Sequence, residues 1–182
     1  MTRSPGSTLA TADLATPVGR VAVAVSDVGV RAIGWGSADE LAEHHDVVPD
    51  DTGRADAALA QLAEYFAGER RAFDVPLDWG GVTTTQRRVL RALYDRVPYG
   101  SSVTYGELAT LSGTGVPARA IGSIMGSNPI PIVVPCHRVL AHDGLGGYSG
   151  GAGNGLEVKR WLLTLEGALP PTLDWNPAGL PG

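Results

Sequence analysis

The sequence predicts an α+β protein: a small amino-terminal α/β cap domain with an antiparallel sheet, followed by a mostly helical carboxy-terminal domain with a helix-turn-helix. Three observations support this fold class. β-Branched runs interrupted by Gly and Asp fill the first third, apolar residues recur at helical spacing later, and a break containing Pro and Gly separates the two halves. We place the domains at residues 1–80 and 81–167, and we expect an irregular tail over residues 168–182.

The first third of the chain predicts a three-stranded meander. Its β-branched runs predict strands over residues 9–15, 21–25 and 30–35, and the turn sequences Pro17-Val-Gly and Asp27-Val-Gly separate them. Two helices should follow, over residues 38–45 and 54–67. The second is supported by apolar residues at 3.6-residue spacing, namely Leu59, Leu62, Ala63 and Phe66.

The second half predicts helices over residues 84–94, 104–111, 117–126 and 156–166. The middle two are joined by a turn containing Gly, an arrangement compatible with a helix-turn-helix. Between the third and fourth helices, Pro131 and Pro135 exclude a helix interior. Because the residues between these prolines are β-branched, we expect a short extended segment there.

Composition excludes several classes of protein. The chain has 182 residues, 43% of them hydrophobic, and no apolar run approaches the roughly 20 residues of a membrane helix, so we expect a soluble protein with no membrane partner. The single cysteine, Cys136, excludes an internal disulfide and a zinc cluster built from cysteines. We therefore expect a cytoplasmic protein without a metal site.

The net charge of −5 is divided unevenly. Residues 1–80 carry six arginines against thirteen acidic residues, whereas residues 81–182 carry eight basic against six acidic residues and are therefore at +2. A polyanionic partner should accordingly meet the second half. A charge of +2 is nevertheless far below the basic footprint of a tight non-specific DNA-binding protein, so charge alone does not establish such a partner.

Cys136 follows the rigid Pro135 and directly precedes His137 and Arg138. A lone cysteine can be a small buried hydrophobic residue, but a neighbouring cation or imidazolium lowers a thiol pKa and favours a reactive thiolate. Successive side chains of an extended chain point to opposite faces, so His137 would reach Cys136 only through a bend or a bridging water. Glu166 is either the orienting member of a Cys/His/Glu relay or a solvated residue at a helix end.

The predicted helix over residues 117–126 has two different faces. Ile121, Ile124 and Met125 form an apolar stripe, whereas Ala118, Gly122 and Gly126 recur every fourth residue on a face without bulk. A face of this kind permits close approach of another helix or of a sugar-phosphate backbone. Arg119 is the only charge on this helix and could project into a groove or a base stack.

Several motifs occur together in this half: Pro135-Cys-His-Arg-Val139, Asn128-Pro129, Arg119-Ala-Ile-Gly122 and Pro98-Tyr-Gly followed by Thr104-Tyr-Gly106. In this combination the chain resembles the O6-alkylguanine-DNA alkyltransferases, also called methylated-DNA–protein-cysteine methyltransferases. The resemblance is strong over residues 86–167. It is looser in the first half, where Thr16-Pro-Val-Gly19 and Glu64-Tyr-Phe-Ala-Gly68 are similar to the cap domain of the family.

The resemblance implies a catalytic role for five residues. Cys136 would accept the alkyl group, His137 would deprotonate it through a water, and Glu166 would orient His137. Asn128 would brace the turn that holds the active-site segment, and Tyr105 would donate a proton or a hydrogen bond to the departing guanine. The resemblance also implies that no cofactor is required.

The resemblance further implies contacts with double-stranded DNA carrying O6-alkylguanine. Arg119 would fill the base stack when the damaged nucleotide rotates out, and Thr104, Ala118 and Gly122 would contact the DNA. The residues expected to line the base pocket are Pro131, Val139, Tyr148, Ser149 and Gly150. The chain departs from the common pattern of the family at Thr85 and Arg91, where Phe and Trp are usual, and in a longer loop at residues 151–155.

The implied function is direct repair of O6-alkylguanine, and also of O4-alkylthymine, by irreversible transfer of the alkyl group to Cys136 in a single turnover. We expect a monomer that can bind DNA cooperatively. The alternative is a non-catalytic sensor of alkylated DNA or a helix-turn-helix regulator, but the related sensors have another residue in place of the acceptor cysteine. A Cys/His/Glu hydrolase is a third reading, which the DNA-binding motifs disfavour.

Overall fold

A computed structural model describes residues 8–45, 47, 53–151 and 153–169. The chain divides into two compact units at the peptide between Gly81 and Val82. The tail predicted over residues 168–182 lies outside the described residues from position 170 onward. Within the described part of the chain, no helix is long and apolar enough to cross a membrane.

The first unit is built on an antiparallel sheet of three strands in the order β1 (Ala10–Thr16), β2 (Gly19–Val25) and β3 (Val30–Trp35). Every residue from 21 to 25 in the central strand is buried. A strand buried on both faces needs apolar residues at successive positions rather than alternation, which explains its run of Val and Ala. The predicted meander is confirmed.

Two helices pack on this sheet, α1 (Ala38–His44) and α2 (Asp56–Phe66). The first helix begins at Ser37, whose side chain accepts a hydrogen bond from the amide of Glu40 while the Glu40 carboxylate accepts one from Ser37. Leu41 of α1 joins a small core with residues of the sheet, whereas α2 buries its own apolar face. The buried residues of α2 are Ala58, Leu62, Tyr65 and Phe66.

The second unit contains four helices: α3 (Thr84–Arg96), α4 (Tyr105–Ser112), α5 (Ala118–Gly126) and α6 (Gly155–Leu165). Helix α4 ends at Gly113, whose positive φ of 61° allows the chain to turn towards α5. Two short parallel strands, β4 (Val103–Thr104) and β5 (Val139–Leu140), pair beside them. This unit is mainly helical, and the predicted α+β class with a helix-turn-helix is confirmed.

Three details differ from the sequence analysis. The segment from Ile130 to Pro135 is a tight turn rather than an extended segment, because the amide of Val134 donates to the carbonyl of Ile130 at 2.9 Å. The β4 and β5 pair was not predicted, since two residues carry no periodicity. Thr85 and Arg91 are both exposed on α3, whose packing rests instead on Val89, Leu90 and Leu93.

Candidate active site

The turn before Cys136 is strained and braced. Ile132 has a φ of 74°, a left-handed conformation that a β-branched residue adopts only at a cost of about 1–3 kcal/mol. The Asn128 side chain spans the turn: its Nδ2 donates to the carbonyl of Val134 at 2.9 Å, and its Oδ1 accepts from the amide of Ile130 at 3.0 Å. Asn128 therefore fixes the geometry of the backbone that leads to Cys136.

Cys136 opens a single 3₁₀ turn, Cys136–Arg138, that supplies the bend left open by the sequence. Its amide donates to the carbonyl of Val134 at 2.8 Å. Successive side chains of a 3₁₀ helix diverge by about 120° rather than the 180° of an extended chain. Cys136 is only 6% exposed, and His137 and Arg138 are also buried.

His137, Arg138 and Glu166 form a buried hydrogen-bonded cluster. Nε2 of His137 lies 2.8 Å from Oε1 of Glu166. Arg138 donates from Nε to Oε2 at 2.8 Å and from Nη2 to Oε1 at 2.9 Å, so the guanidinium holds both carboxylate oxygens. The carboxylate at the end of α6 is thus a buried partner of His137 and not a solvated residue at a helix end.

The charge of Glu166 determines the tautomer of His137. Burial alone would raise the pKa of Glu166, but the charge of His137 and the hydrogen bonds from His137 and Arg138 lower it to about 2. An ionised carboxylate only accepts hydrogen bonds, so Nε2 must carry the ring proton and Nδ1 must carry the lone pair. Burial lowers the pKa of His137, against the opposing effect of Glu166, and keeps the ring neutral.

The surroundings of Cys136 raise the pKa of its thiol. Burial is the dominant cause, and the side-chain amide of Asn128 and the charge of Lys159 oppose it. Arg138 is adjacent in the sequence, but its guanidinium is directed at Glu166. A protonated thiol needs a base, and the only lone pair on the His137 ring is at Nδ1.

Lys159 is a buried cation in the same unit. It lies in α6 with no exposed surface, and its Nζ donates to the carbonyl of Val139 at 2.7 Å and of Gly147 at 3.0 Å. Burial lowers the pKa of Lys159 from 10.5 to about 8, although the charge of Cys136 opposes this shift. The ammonium therefore joins β5 to the glycine-rich loop that follows it.

A cavity of about 250 Å³ opens beside the thiol. Its walls come from α4, α5 and the glycine-rich loop, and its described lining residues are Tyr105, Gly122, Met125, Gly126, Cys136, Gly147, Tyr148 and Ser149. A cavity of this volume is large enough to admit a single purine base. Of the five predicted pocket residues, Tyr148 and Ser149 are among these.

The other three predicted pocket residues lie elsewhere. Pro131 and Val139 are buried, and the carbonyl of Val139 is taken by Lys159. Gly150 packs against the start of α6, where a side chain at Gly155 would approach its carbonyl oxygen to 3.0 Å. None of these three is among the described lining residues of the cavity, so their contact with a base stays a prediction.

Tyr105 is placed at the cavity by a glycine. Gly146 has a φ of 70°, and a Cβ added there would lie 2.8 Å from the hydroxyl oxygen of Tyr105. The phenol can approach the loop closely only because position 146 has no side chain. The neighbouring Thr104 is the cap of α4, since its hydroxyl oxygen accepts from the amide of Glu107 at 3.1 Å. Its predicted DNA contact is untested.

Helix α5 presents its small residues outward. Ala118, Arg119 and Gly122 are exposed, whereas Ile121, Ile124 and Met125 are buried. A Cβ added at Gly122 would meet no atom within 4 Å. Among the described residues, no other helix packs against Gly122 or Gly126, so helix packing within this part of the chain does not account for the small residues. The face is open to a ligand that needs close approach.

A larger cavity of about 500 Å³ is not the candidate site. Its lining is mostly apolar and contains neither a thiol nor a histidine: Leu140, Ala141, Gly144, Leu145, Arg160, Thr164 and Leu169. Within the described ranges, no group of three or more His, Cys, Asp or Glu side chains could hold a metal ion. Because Cys136 lines the smaller cavity, the smaller cavity is the candidate site.

Sequence reasoning missed Lys159 and the pairing of Arg138 with Glu166. A helical lysine normally indicates a solvated face. The signal that could have revealed Lys159 is its spacing: Leu162, Leu163 and Glu166 follow at i+3, i+4 and i+7, which places all four on one face of α6. All four are buried.

Comparison with known proteins gives a consistent match over both units. A family model described as "6-O-methylguanine DNA methyltransferase, DNA binding domain" matches residues 84–168. A second, described as "6-O-methylguanine DNA methyltransferase, ribonuclease-like domain", matches residues 10–79. Together these models span most of the chain.

Individual relatives agree with these models. The chain is 38% identical over 154 residues to a methylated-DNA–protein-cysteine methyltransferase of Methanosarcina acetivorans, covering 84% of this chain and 95% of that protein. It is 48% identical over 122 residues to the Mycobacterium tuberculosis protein of the same name, covering 66% of this chain and 70% of that protein.

Solved structures share the fold. A crystal structure of Mycobacterium tuberculosis O6-methylguanine methyltransferase superimposes with a TM-score of 0.75 at 37% identity, covering 90% of this chain and 96% of that one. A crystal structure of Mycobacterium tuberculosis OGT in complex with DNA gives a TM-score of 0.72 at 38% identity, with 87% and 92% coverage.

Proposed function

The chain belongs to the 6-O-methylguanine DNA methyltransferase family, and from that premise we propose that it repairs O6-alkylguanine in duplex DNA by moving the alkyl group to Cys136. The activity of the chain is that of a methylated-DNA–protein-cysteine methyltransferase, and its partner is DNA. The observation that carries the finer proposal is the thiol of Cys136 in the wall of a base-sized cavity, next to the buried His137–Glu166 pair.

The first step is deprotonation of the thiol. The lone pair on Nδ1 of His137 is the proton acceptor, and among the described residues nothing donates a hydrogen bond to it. A water between Nδ1 and the sulfur would satisfy this buried atom and relay the proton. Glu166 then stabilises the imidazolium that forms, as the orienting carboxylate does in other nucleophile and base pairs.

The second step is displacement at the alkyl carbon. The thiolate of Cys136 forms a carbon–sulfur bond, the bond from that carbon to O6 breaks, and its electron pair leaves with the guanine. The guanine anion gains a proton that replaces the one taken from the thiol. Tyr105, whose phenol lines the same cavity, is placed to donate a hydrogen bond to the departing base.

We propose a single turnover for each chain. The product is a thioether, whose alkyl carbon is a poor target for water at neutral pH. Cys136 is the only cysteine in the sequence, and the other candidate nucleophiles among the described cavity residues are hydroxyls, which are far poorer nucleophiles than a thiolate at neutral pH. O4-alkylthymine carries the same type of O-alkyl bond, so the same displacement extends to it.

The damaged base must first leave the helix, because an alkylated base inside a duplex is beyond the reach of a thiolate. Flipping costs a few kcal/mol, and least for a lesion that pairs badly. The exposed small face of α5 fits the minor groove, and Arg119 at its start would fill the gap in the base stack. We propose that one chain suffices and that it acts in the reducing cytoplasm, where its lone thiol stays reduced.

A Cys136→Ser variant tests the proposal against the sensor alternative. We expect the variant to bind an O6-methylguanine duplex in a gel-shift assay with wild-type affinity. Digestion of the duplex followed by mass spectrometry should show that the lesion persists, because a hydroxyl is a far poorer nucleophile at neutral pH. Loss of the lesion in the presence of the variant would exclude Cys136 as the acceptor. Persistence of the lesion with wild-type protein would favour a sensor.

A further inference from the structure

The buried charges around Cys136 do not balance when its thiol is protonated. Glu166 contributes one negative charge, and Arg138 and Lys159 contribute two positive charges. His137 is neutral because burial lowers its pKa. The cluster thus carries one excess positive charge, which is costly in an environment with little water.

Arg138 is not the unbalanced cation. Its guanidinium holds both oxygens of Glu166 and also donates from Nη1 to the carbonyl of Val97 at 2.8 Å. Among the described residues, the hydrogen-bond partners of the Lys159 ammonium are carbonyls, those of Val139 and Gly147. Carbonyls solvate an ammonium but do not neutralise it, so the excess charge resides on Lys159.

The position of Lys159 relates this charge to the reacting sulfur. Val139 directly follows the 3₁₀ turn that begins at Cys136, and Gly147 lines the same cavity as Cys136. The two hydrogen bonds therefore place the ammonium between the strand after the nucleophile and the loop that closes the cavity. In agreement with this placement, the charge of Lys159 acts to lower the pKa of the Cys136 thiol, against the larger effect of burial.

We propose that Lys159 is a positioning residue whose ammonium balances the Cys136 thiolate during alkyl transfer, while its two hydrogen bonds hold the cavity loop against β5. This inference rests on the proposed function in one respect, that Cys136 is the alkyl acceptor. It goes further because it assigns the positive charge that stabilises the Cys136 thiolate to Lys159, a residue of α6. Glu166 and Lys159, both from that helical region, then serve the base and the thiolate respectively.

The other charged and titratable groups facing this site do not supply the same charge. Burial raises the pKa of Tyr148 from the cavity loop well above its usual value, so this phenol stays neutral. Tyr105 from α4 carries no positive charge in either protonation state. The imidazolium that forms at His137 and the guanidinium of Arg138, both on the turn itself, share the single negative charge of Glu166. Lys159 is hydrogen-bonded to carbonyls and not to a carboxylate, so among the described groups its charge is the one available to the thiolate.

The test uses the fact that Lys159 is the only lysine of the chain. Full-length protein labelled with ¹³C,¹⁵N-lysine should give one set of lysine side-chain resonances. We expect this signal to titrate near pH 8 rather than near the usual 10.5. Because the ammonium and the thiol interact, the lysine signal should also show a second, smaller step at the higher pH where Cys136 ionises. Alkylation of Cys136 by iodoacetamide should remove this second step, and a lysine signal without it in the unmodified protein would overturn the proposal.

A pair of matched variants gives a second readout. Lys159→Met keeps the length of the side chain but removes the ammonium, and Arg160→Met removes one exposed positive charge from the next position of α6. At pH 7 we expect iodoacetamide to alkylate Cys136 about tenfold more slowly in Lys159→Met, with the difference narrowing at high pH where the thiol ionises unaided. Arg160→Met should react like the wild type.

The outcomes separate this inference from the proposed function. Equal rates at pH 7 for folded Lys159→Met and wild type would overturn the role of Lys159. If Lys159→Met does not fold, the titration of the wild-type lysine decides. If iodoacetamide removes the second step of the lysine titration but an O6-methylguanine duplex does not alkylate Cys136, the repair function fails while the charge pairing of Lys159 stands.

Discussion

Nε2 of His137 lies 2.8 Å from Oε1 of Glu166, and neither side chain has any exposed surface. This contact joins the 3₁₀ turn of the nucleophile to the end of α6. Since the ionised carboxylate accepts the Nε2 proton, the lone pair of the ring must be at Nδ1. This hydrogen bond therefore determines that the neutral His137 ring can accept a proton only at Nδ1.

Replacing Glu166 should destabilise the protein strongly. Glu166→Gln keeps the shape of the side chain but leaves the buried guanidinium of Arg138 without a counter-charge, at a cost of about 3–5 kcal/mol. For a chain of this size we expect a loss of roughly 10 °C in Tm by calorimetry at pH 7. Glu157→Gln, at an exposed position of the same helix, is the control. A Tm equal to that of wild type would contradict the buried ion pair.

The same carboxylate predicts a specific acid sensitivity. The pKa of Glu166 falls from 4.5 to about 2 on folding, so its stabilisation is fully present above pH 4.5 and is lost as the pH falls from 4.5 towards 2. Its size is roughly 3 kcal/mol at neutral pH. Urea unfolding should therefore show the stability of the wild type approaching that of Glu166→Gln across this window. A constant difference between the two proteins would be inconsistent with the lowered pKa.

Loss of the base should change both the rate and its pH dependence. With His137→Gln we expect methyl transfer at pH 7 to slow by about 10²-fold, the usual contribution of a general base. Because burial raises the pKa of Cys136, the remaining activity should increase with pH as the thiol ionises unaided. Single-turnover kinetics on an O6-methylguanine duplex from pH 6 to pH 9.5 measure this. His142→Gln, at an exposed histidine, should keep the wild-type profile.

Arg119 should matter only when a base must leave a duplex. We expect Arg119→Ala to slow repair of duplex DNA by about tenfold or more. Flipping a nucleotide out of the duplex costs a few kcal/mol, and the variant has no side chain to fill the gap in the base stack. Its reaction with free O6-benzylguanine base should stay within about twofold of wild type, because no flipping is needed. Arg91→Ala removes an exposed arginine from α3 and is the charge control. Equal losses on both substrates would refute the role in flipping.

Asn128 should be required for the geometry of the nucleophile. Asn128→Ala leaves the amide of Ile130 without its partner and removes one of the two hydrogen bonds to the carbonyl of Val134, which keeps that from the Cys136 amide, at a cost of about 1–3 kcal/mol. Removing the amide also removes one of the influences that lower the pKa of Cys136, so transfer at pH 7 should slow as well. Thermal unfolding and transfer rates test both effects, with Thr85→Ala, at an exposed position of α3, as the control. Unchanged stability would show that the turn holds without its brace.

Much of the fold was predictable because its elements carry strong local signals. The run of Val and Ala in β2 indicates a strand buried on both faces, and the apolar spacing of α5 indicates which face points inward. Two-residue strands such as β4 carry no periodicity. The left-handed Ile132 could not be foreseen, since a β-branched residue disfavours that conformation and only the surrounding contacts maintain it.

The nucleophile, the histidine and its carboxylate could be predicted from the sequence, but the electrostatics of the site could not. The sequence motifs bring Cys136, His137 and Glu166 together as candidates, and the structure shows that a hydrogen bond joins the last two. The thiol pKa depends on burial and on Lys159, a residue 23 positions away whose charge a linear sequence does not place. The pKa of the thiol therefore depends on packing between residues that are far apart in the sequence, which short-range sequence patterns do not indicate.

The central claim is that one alkyl group moves to Cys136 and stays there. Equimolar protein and an oligonucleotide duplex containing O6-methylguanine should be incubated and followed by intact mass and peptide mapping. We predict a mass increase of one methyl group per chain, located on Cys136, which saturates at one even with excess duplex. Unmethylated protein despite tight binding of the duplex, a methyl group on another residue, or more repaired guanine than protein would contradict the account.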